Sequence, residues 1–368
     1  MKKYAIVFVL CLAAVLGIVS VLAAGDEENP LISLSYLTGT YQDAVNTAVQ
    51  EKLNAAEQAL WDETRAKLAA AEAIPDMDWA ETWAESRLKS GDVLWGSTGL
   101  SVLVLAGDVV TAYESGEVVD VSTGETVPSG TTLTVDHRYL VTEDTIAYFT
   151  VTGKTAVVDY MGLYGIIPSD AIDYNAMADA LKTIHLFRGS HTGFGSGYDL
   201  EVAPTRLQAL IMFIRVLGEE ESALAYTETP PFTDVHPGTT AAKYVGYAYE
   251  KGYTNGYKDG TWRPGGTTNV YQYTSFLLRA LGHSVAGESI SLALQRAQEV
   301  NMLTAEEATT ISAETFLRAH LAYLSYRSLD VSDAATGLPL RDVLIYKGVF
   351  TAEEYATAVA QVNSSAIS

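Results

Sequence analysis

The sequence predicts a multidomain α+β chain: an N-terminal helical segment, an antiparallel β sandwich or barrel, and an all-α C-terminal part. Three observations carry that prediction. Apolar residues recur at helical spacing up to about residue 90, alternate with period two from 91 to 167, and return to helical spacing after Pro168. Short β-branched runs divided by Gly, Pro, Asp and Ser turns fill the middle stretch. The last stretch repeats on itself. With 368 residues there is chain enough for two or three domains, each with its own core.

At the N-terminus, Lys2 and Lys3 precede an apolar run from Tyr4 to Leu22, which ends in small residues before Gly25-Asp26-Glu27-Glu28. That pattern predicts a secretory signal peptide over residues 1–23. An uncleaved signal anchor is the alternative, because the run is nearly long enough to span a bilayer. Cys11 follows Leu10 inside the run and does not resemble a lipidation site. Without residues 1–23 the chain keeps 21 basic against 45 acidic groups, a net −24, and no cysteine. Such a secreted chain relies on its core and not on disulfides. Its acidity argues against nucleic acid and anionic membrane surfaces as partners, so the membrane is met only through the transient signal.

From Tyr41 to about Ala73 the chain is Ala-rich, with Val49, Leu53, Ala56 and Leu60 on one helical stripe that Leu68 and Ala71 resume. Thr64 interrupts the seam, so a helix packed on its own domain is favoured over an oligomerisation stem. Ile74-Pro75 stops this helix, and a second is expected over Trp79 to Leu88, completing a helical region at 24–90. The β-domain at 91–167 then offers short strands at Val93–Trp95, Ser101–Leu105, Val109–Tyr113, Val118–Val121, Thr131–Val135, Tyr139–Val141, Thr145–Val151 and Ala156–Tyr160. His137 stands alone among them and reads as a structural or surface histidine.

Sliding the C-terminal sequence by 64 residues lays Ala209–Gly218 on Tyr273–Gly282, and Leu321–Asp330 is a fainter third copy. Helical stretches at Ala176–Phe187, Ala241–Lys251 and Ser291–Met302 precede the copies. Three repeats follow, at about 168–230, 231–284 and 285–330, which must pack together because one unit cannot bury its own apolar face. Residues 331–368 form a helical pair, Leu340–Tyr346 and a helix capped at Thr351 with Glu354 at its third position.

The second repeat reads Phe232-Thr233-Asp234-Val235, then Tyr244-Val245-Gly246-Tyr247-Ala248, then Asn255-Gly256-Tyr257-Lys258-Asp259-Gly260-Thr261-Trp262-Arg263-Pro264. In this order the pieces resemble the S-layer homology (SLH) domain, and Pro204-Thr205-Arg206 in the first repeat is similar to that family's Thr-Arg signature. The resemblance covers about residues 170–330. Asn29–Leu37 is similar to the front end of clostridial-type secreted SLH proteins. The resemblance implies a pseudo-threefold helical unit whose grooves hold secondary cell-wall polysaccharide, often pyruvylated, on a protein of the bacterial cell wall or S-layer. It implies binding roles for Thr205, Arg206 and Gln208, for Asp259, Gly260, Trp262 and Arg263, and for Arg318. Self-assembly is the other association to expect.

The residues support that role in part. Thr205 and Gln208 make a capping box, which puts Arg206 at the first helical position beside the free N–H groups and the positive end of the helix dipole. A sugar-borne carboxylate would fit there. Asn269 and Gln272 reproduce the cap and third position in the second repeat, but Val270 replaces the arginine. Arg318 aligns with Arg206, but Leu317 cannot cap, and a helix starting near Ser312 would place Arg318 well inside it. Trp262 and Tyr257 could stack on sugars, although aromatics in such a loop are more often core.

No hydrolase, zincin, Cys-pair or P-loop motif occurs. His185 and His191 flank a loop as a weak metal hint, and Gly193–Gly197 reads as an inter-helix loop. Asn255, Tyr257 and Asp259 depart from a calcium loop because Tyr257 replaces an oxygen ligand. The expectation is a non-catalytic surface protein without cofactor or metal. The alternative is a wall-anchored enzyme or carbohydrate-binding protein acting through residues 91–167.

Overall fold

The computed structural model describes residues 39, 41–70, 77–189, 197–283 and 289–365, in two units, residues 1–74 and 75–368. The expected signal peptide, Cys11, the 29–37 segment and His191 lie outside the described residues. In the first unit, helix α1 (Gln42–Ala70) matches the expectation. Its stripe is not packed: Val49, Leu53 and Leu60 are 45%, 58% and 66% exposed.

The second unit opens on an antiparallel seven-stranded sheet: β1 (Asp78–Lys89), β2 (Val93–Ser97), β3 (Ser101–Ala112), β4 (Val118–Asp120), β5 (Glu125–Val127), β6 (Arg138–Val141) and β7 (Ile146–Ile167). The helix expected over Trp79–Leu88 is instead β1. Ala and Glu favour a helix there, but β7 offers a ladder that pairs Glu85 with Asp159 and Leu88 with Ala156, and propensity yields to pairing. The sheet therefore begins thirteen residues before the expected boundary, at Asp78 and not at 91.

Two of the gaps between expected strands are irregularities within longer strands. The runs on either side of Ala106-Gly107-Asp108 join into β3, and those on either side of Thr152–Thr155 join into β7. Gly107 has φ +87° and lies where a Cβ would come within 2.3 Å of the Thr155 carbonyl oxygen, so the chain kinks there without leaving the ladder. The expected strand at Thr131–Val135 is reduced to an isolated bridge between Val110 and Thr132. β7 is the hub. It pairs with β1 and β3, and its two ends both pair with β2. Leu94, Leu100, Val102, Phe149 and Val158 fill the enclosed side.

The helices are α2 (Tyr174–Thr183), α3 (Arg206–Val216), α4 (Glu220–Leu224), α5 (Thr240–Glu250), α6 (Val270–Ala280), α7 (Ala293–Glu299), α8 (Ala305–Ala313), α9 (Arg318–Ser328), α10 (Leu340–Tyr346) and α11 (Ala352–Ser365). One core runs through all three repeats and the C-terminal pair, from Leu181 through Phe213, Trp262, Tyr273 and Leu324 to Leu344 and Ala358. The Thr351–Glu354 box expected for α11 is present, each backbone N–H meeting the other's side chain at 3.2 and 2.7 Å.

The repeats are stitched by backbone. Arg206 and Leu207 donate their N–H groups to the carbonyls of Gly266 and Pro264, at 2.7 and 3.0 Å. Arg318 and Ala319 donate theirs to Val202 and Leu200, at 2.9 and 3.0 Å. In both cases the acceptors stand four and six residues before the first residue of another repeat's helix, so one contact is used twice. A separate set of side chains joins sheet to helices: Arg87 to Asp179 in two hydrogen bonds, Lys154 to Glu314 at 2.6 Å, and the Thr155 hydroxyl to Glu201 at 2.5 Å.

Gly107→Ala is expected to destabilise the second unit by about 1–3 kcal/mol, from left-handed backbone strain and the carbonyl clash. Urea denaturation followed by tryptophan fluorescence measures it, and an unchanged midpoint would refute the close approach.

Candidate functional site

The site is built on the start of α3. Thr205 is the N-cap in extended backbone; its hydroxyl accepts from the Gln208 backbone N–H and the Gln208 side-chain Oε1 accepts from the Thr205 N–H. That is the predicted box. The amides beside it are not free, as the sequence had led us to expect: those of Arg206 and Leu207 are taken by the second repeat's carbonyls. An anion arriving here would meet the arginine side chain and not bare helix amides.

Arg206 is 7% exposed. Its guanidinium carbon lies 4.9 Å from the Trp262 ring centroid, 5.0 Å from Tyr257 and 5.8 Å from Phe276, an aromatic box from two elements of the second repeat. Its Nε is buried without a hydrogen-bond partner, and no carboxylate pairs with it among the described residues. Burial is the largest influence and lowers its pKa; Tyr257 opposes that and the nearby Arg263 adds to it. Cation–π contacts return about 0.5–2 kcal/mol each, well short of solvation for a buried charge. The site is a buried cation with no carboxylate counter-ion among the described residues.

The loop below it is preorganised. Asp234, from the Phe-Thr-Asp-Val segment, accepts the backbone N–H groups of Trp262 and Arg263, both at 2.7 Å. Arg263 sits at φ +62°, its guanidinium 4.1 Å from the Tyr257 centroid and paired with Asp259 at 2.7 Å. Tyr257 therefore lies between two arginines. Gly260, at φ +78°, closes the turn, and its carbonyl accepts the Thr233 N–H. Trp262 is fully buried and its indole N–H donates to Thr254 at 3.1 Å, so it walls the box and presents no face for sugar stacking.

Of the residues predicted from sequence, Thr205, Arg206, Gln208, Asp259, Gly260, Trp262 and Arg263 belong to this one place. Arg318 does not. The helix expected from Ser312 ends at Ala313, and a separate helix, α9, starts at Arg318 itself. Arg318 thus occupies the first helical position, as Arg206 does, and the earlier placement inside a helix is corrected. Leu317 offers no side-chain cap; instead the His320 Nδ1 accepts the Leu317 N–H at 2.9 Å. Arg318 faces Asp199 at 3.9 Å, with Glu201 also raising its pKa against the larger, lowering effect of burial. The 64-residue slide puts Asp199 and Glu201 where the second repeat has Arg263 and Gly265, so the first repeat's loop supplies anions to the third helix start. At the second start, Asn269 Oδ1 accepts the Gln272 N–H at 3.0 Å, and the buried Val270 brings no cation to the first helical position.

Tyr257, Phe276 and Asp234 were missed as site members. Asp234 had a signal in its motif, and Tyr257 was noted only as a stacking candidate; nothing in the sequence announced Phe276. His137 is paired with Asp120 at 2.7 Å, and His185 with Glu354 at 3.2 Å. Among the described residues no three His, Cys, Asp or Glu side chains converge as a metal site, and no helix is long and apolar enough to cross a membrane.

Residues 231–269 match the family model of the S-layer homology domain, so the chain carries a segment of that family. The match runs from the Phe-Thr-Asp-Val segment to the α6 cap and contains the whole aromatic loop. SLH domains bind secondary cell-wall polymers in general, which associates the chain with the cell surface and S-layer. A comparison with curated proteins gives no match.

Hydrogen bonds from the Thr261 hydroxyl, then from Arg263 and the Thr261 N–H, pull the exposed Asp259 carboxyl down to about 2. A depressed carboxylate contributes above its unfolded pKa, about 3.9, and its contribution is lost as pH falls through the folded value. The Asp259–Arg263 pair is thus expected to survive pH 3. Carboxyl carbon NMR should give a midpoint near 2, rising in Arg263→Ala; a wild-type midpoint at the ordinary 3.8 refutes the clamp.

Proposed function

We propose that this SLH protein is a non-catalytic, secreted surface protein that holds secondary cell-wall polysaccharide through Arg206, with a carboxylated sugar such as a pyruvylated residue as the recognised group. The observation that carries this is a buried guanidinium in an aromatic box with no carboxylate of its own. A planar carboxylate can take two parallel hydrogen bonds from such a fork. The local cation also answers how a chain with 45 acidic residues holds an anionic polymer.

In this reading the three repeats form a pseudo-threefold unit, supported by the doubled backbone contact from α3 and from α9. Only one of its three helix starts is fit for an anion, because Val270 removes the cation from one and Asp199 with Glu201 neutralise the other. The sheet, whose hub strand has both ends on β2, reads as a small barrel with an apolar filling, a spacer or display module and not a catalytic cleft. The clostridial-type assignment rests on the 29–37 resemblance alone. Self-assembly through the same fold is the alternative use.

Binding to purified sacculi, with and without their polymer, tests the reading. Arg206→Ala should weaken it by about 1.5–3 kcal/mol, the range for a hydrogen bond to a charged group. Arg206→Lys should recover part, keeping the charge without the fork. Arg318→Ala should change little, and Val270→Arg should add affinity at a helix start already capped. Each variant is first checked for native circular dichroism. Equal retention of Arg206→Ala and wild type would sink the assignment and leave self-assembly as the role of the fold.

A further inference from the structure

The third helix start is joined to the sheet by a chain of side chains that ends on a buried histidine. Lys154 of β7 pairs with Glu314 Oε1 at 2.6 Å, and Glu314 Oε2 lies 3.1 Å from Nε2 of His320. His320 is completely buried, stacked on Phe316 and edge-on to Tyr174. Its other nitrogen, Nδ1, accepts the Leu317 N–H at 2.9 Å. A backbone amide can only donate, so Nδ1 must be bare and the ring proton must sit on Nε2, directed at Glu314. The neutral ring therefore does two jobs in one tautomer: it caps α9 where Leu317 cannot, and it helps hold the carboxylate that Lys154 grips.

We propose that His320 makes this sheet-to-helix joint acid-labile: a proton on Nδ1 ends the Leu317 cap and loosens Lys154 from Glu314. The protonated ring has no lone pair for the amide and must turn, and as a cation it competes with Lys154 for the one carboxylate. The charged and titratable groups around the ring are Glu314 from the preceding loop, Lys154 from β7 and Tyr174 from α2, with Arg318 two positions earlier on its own helix and Glu307 from α8 acting on Tyr174 and Tyr323. Both tyrosines are driven upward, chiefly by burial, and stay neutral in the relevant range, leaving Glu314 as the one favourable partner for an imidazolium. Burial, the largest influence, outweighs Glu314 and holds His320 below its ordinary value. A base lowered in this way stabilises the fold fully above its unfolded pKa, about 6.5, and the contribution is lost as pH falls through the folded value.

The test uses the full chain. A zero-length carbodiimide joins Lys154 to Glu314, and the cross-linked peptide is quantified by mass spectrometry at about pH 7 and about pH 4.5 in wild type and His320→Gln. Glutamine at this position can accept the Leu317 N–H as Gln208 accepts that of Thr205, and it does not titrate. Equal yields are expected at the higher pH, with wild type falling at least about threefold below the variant at the lower. An unchanged ratio overturns the proposal. Should the variant not fold, amide exchange of wild type, corrected for intrinsic rates, replaces it. Protection lost over 314–322 and 150–158 but kept over 209–217 supports the joint; protection kept everywhere, or lost everywhere together, overturns it.

Discussion

A helix leaves its first amides without partners inside the helix, and the repeats of this protein solve that by borrowing carbonyls from one another. Arg206 and Leu207 use the loop before α6; Arg318 and Ala319 use the loop before α3. Neither helix could be finished within its own repeat. The same bonds fix what each helix start can recognise. Because the amides are spent, selectivity passes to the side chain at the first helical position and to the loop beneath it. Arg206 is thereby laid over Tyr257 and Trp262, residues about fifty places further along the chain.

Three helix starts, two of them held by the same backbone contact, have three different electrostatic outcomes. Arg206 faces aromatics, and the charged group that acts on it among the described residues is another cation, Arg263, itself occupied by Asp259. Arg318 faces Asp199 and Glu201. Val270, buried at the corresponding position, brings no charge to its helix start. A protein this acidic has carboxylates to spare, so the exclusion of them from around Arg206 is the informative feature. Removing either partner of a buried pair is costly, whereas an arginine that never had an internal partner is stabilised by whatever anion arrives.

Much of this was legible in the sequence, for identifiable reasons. The Thr205–Gln208 and Thr351–Glu354 boxes are local, and local signals read true. The 64-residue slide found α3 and α6 because core positions repeat with the helices that carry them. What failed was non-local. Residues 78–89 have helical composition and became a strand because β7 lies alongside. Glycine at 107 read as a turn and proved to be a bulge, since a turn and a bulge ask for the same φ. Arg318 was misplaced because the cap of its helix comes from His320, three residues after Leu317, and no capping rule looks for an imidazole there. The aromatic box was half visible: Tyr257 and Trp262 stood out, but only folding brings Phe276 to them.

The pairing scheme of β7 also orders events in time. β1, β2 and β3 all take their main partner from a strand that ends at Ile167, ninety residues after β1 begins. A chain emerging from its N-terminus therefore presents the early strands with open edges until the last strand of the sheet has been delivered. Contacts of such long sequence separation form late and slowly. β3, β4, β5 and β6 can pair among themselves beforehand, but β1 and β2 gain their ladders only with β7, which acts as the clasp of the sheet.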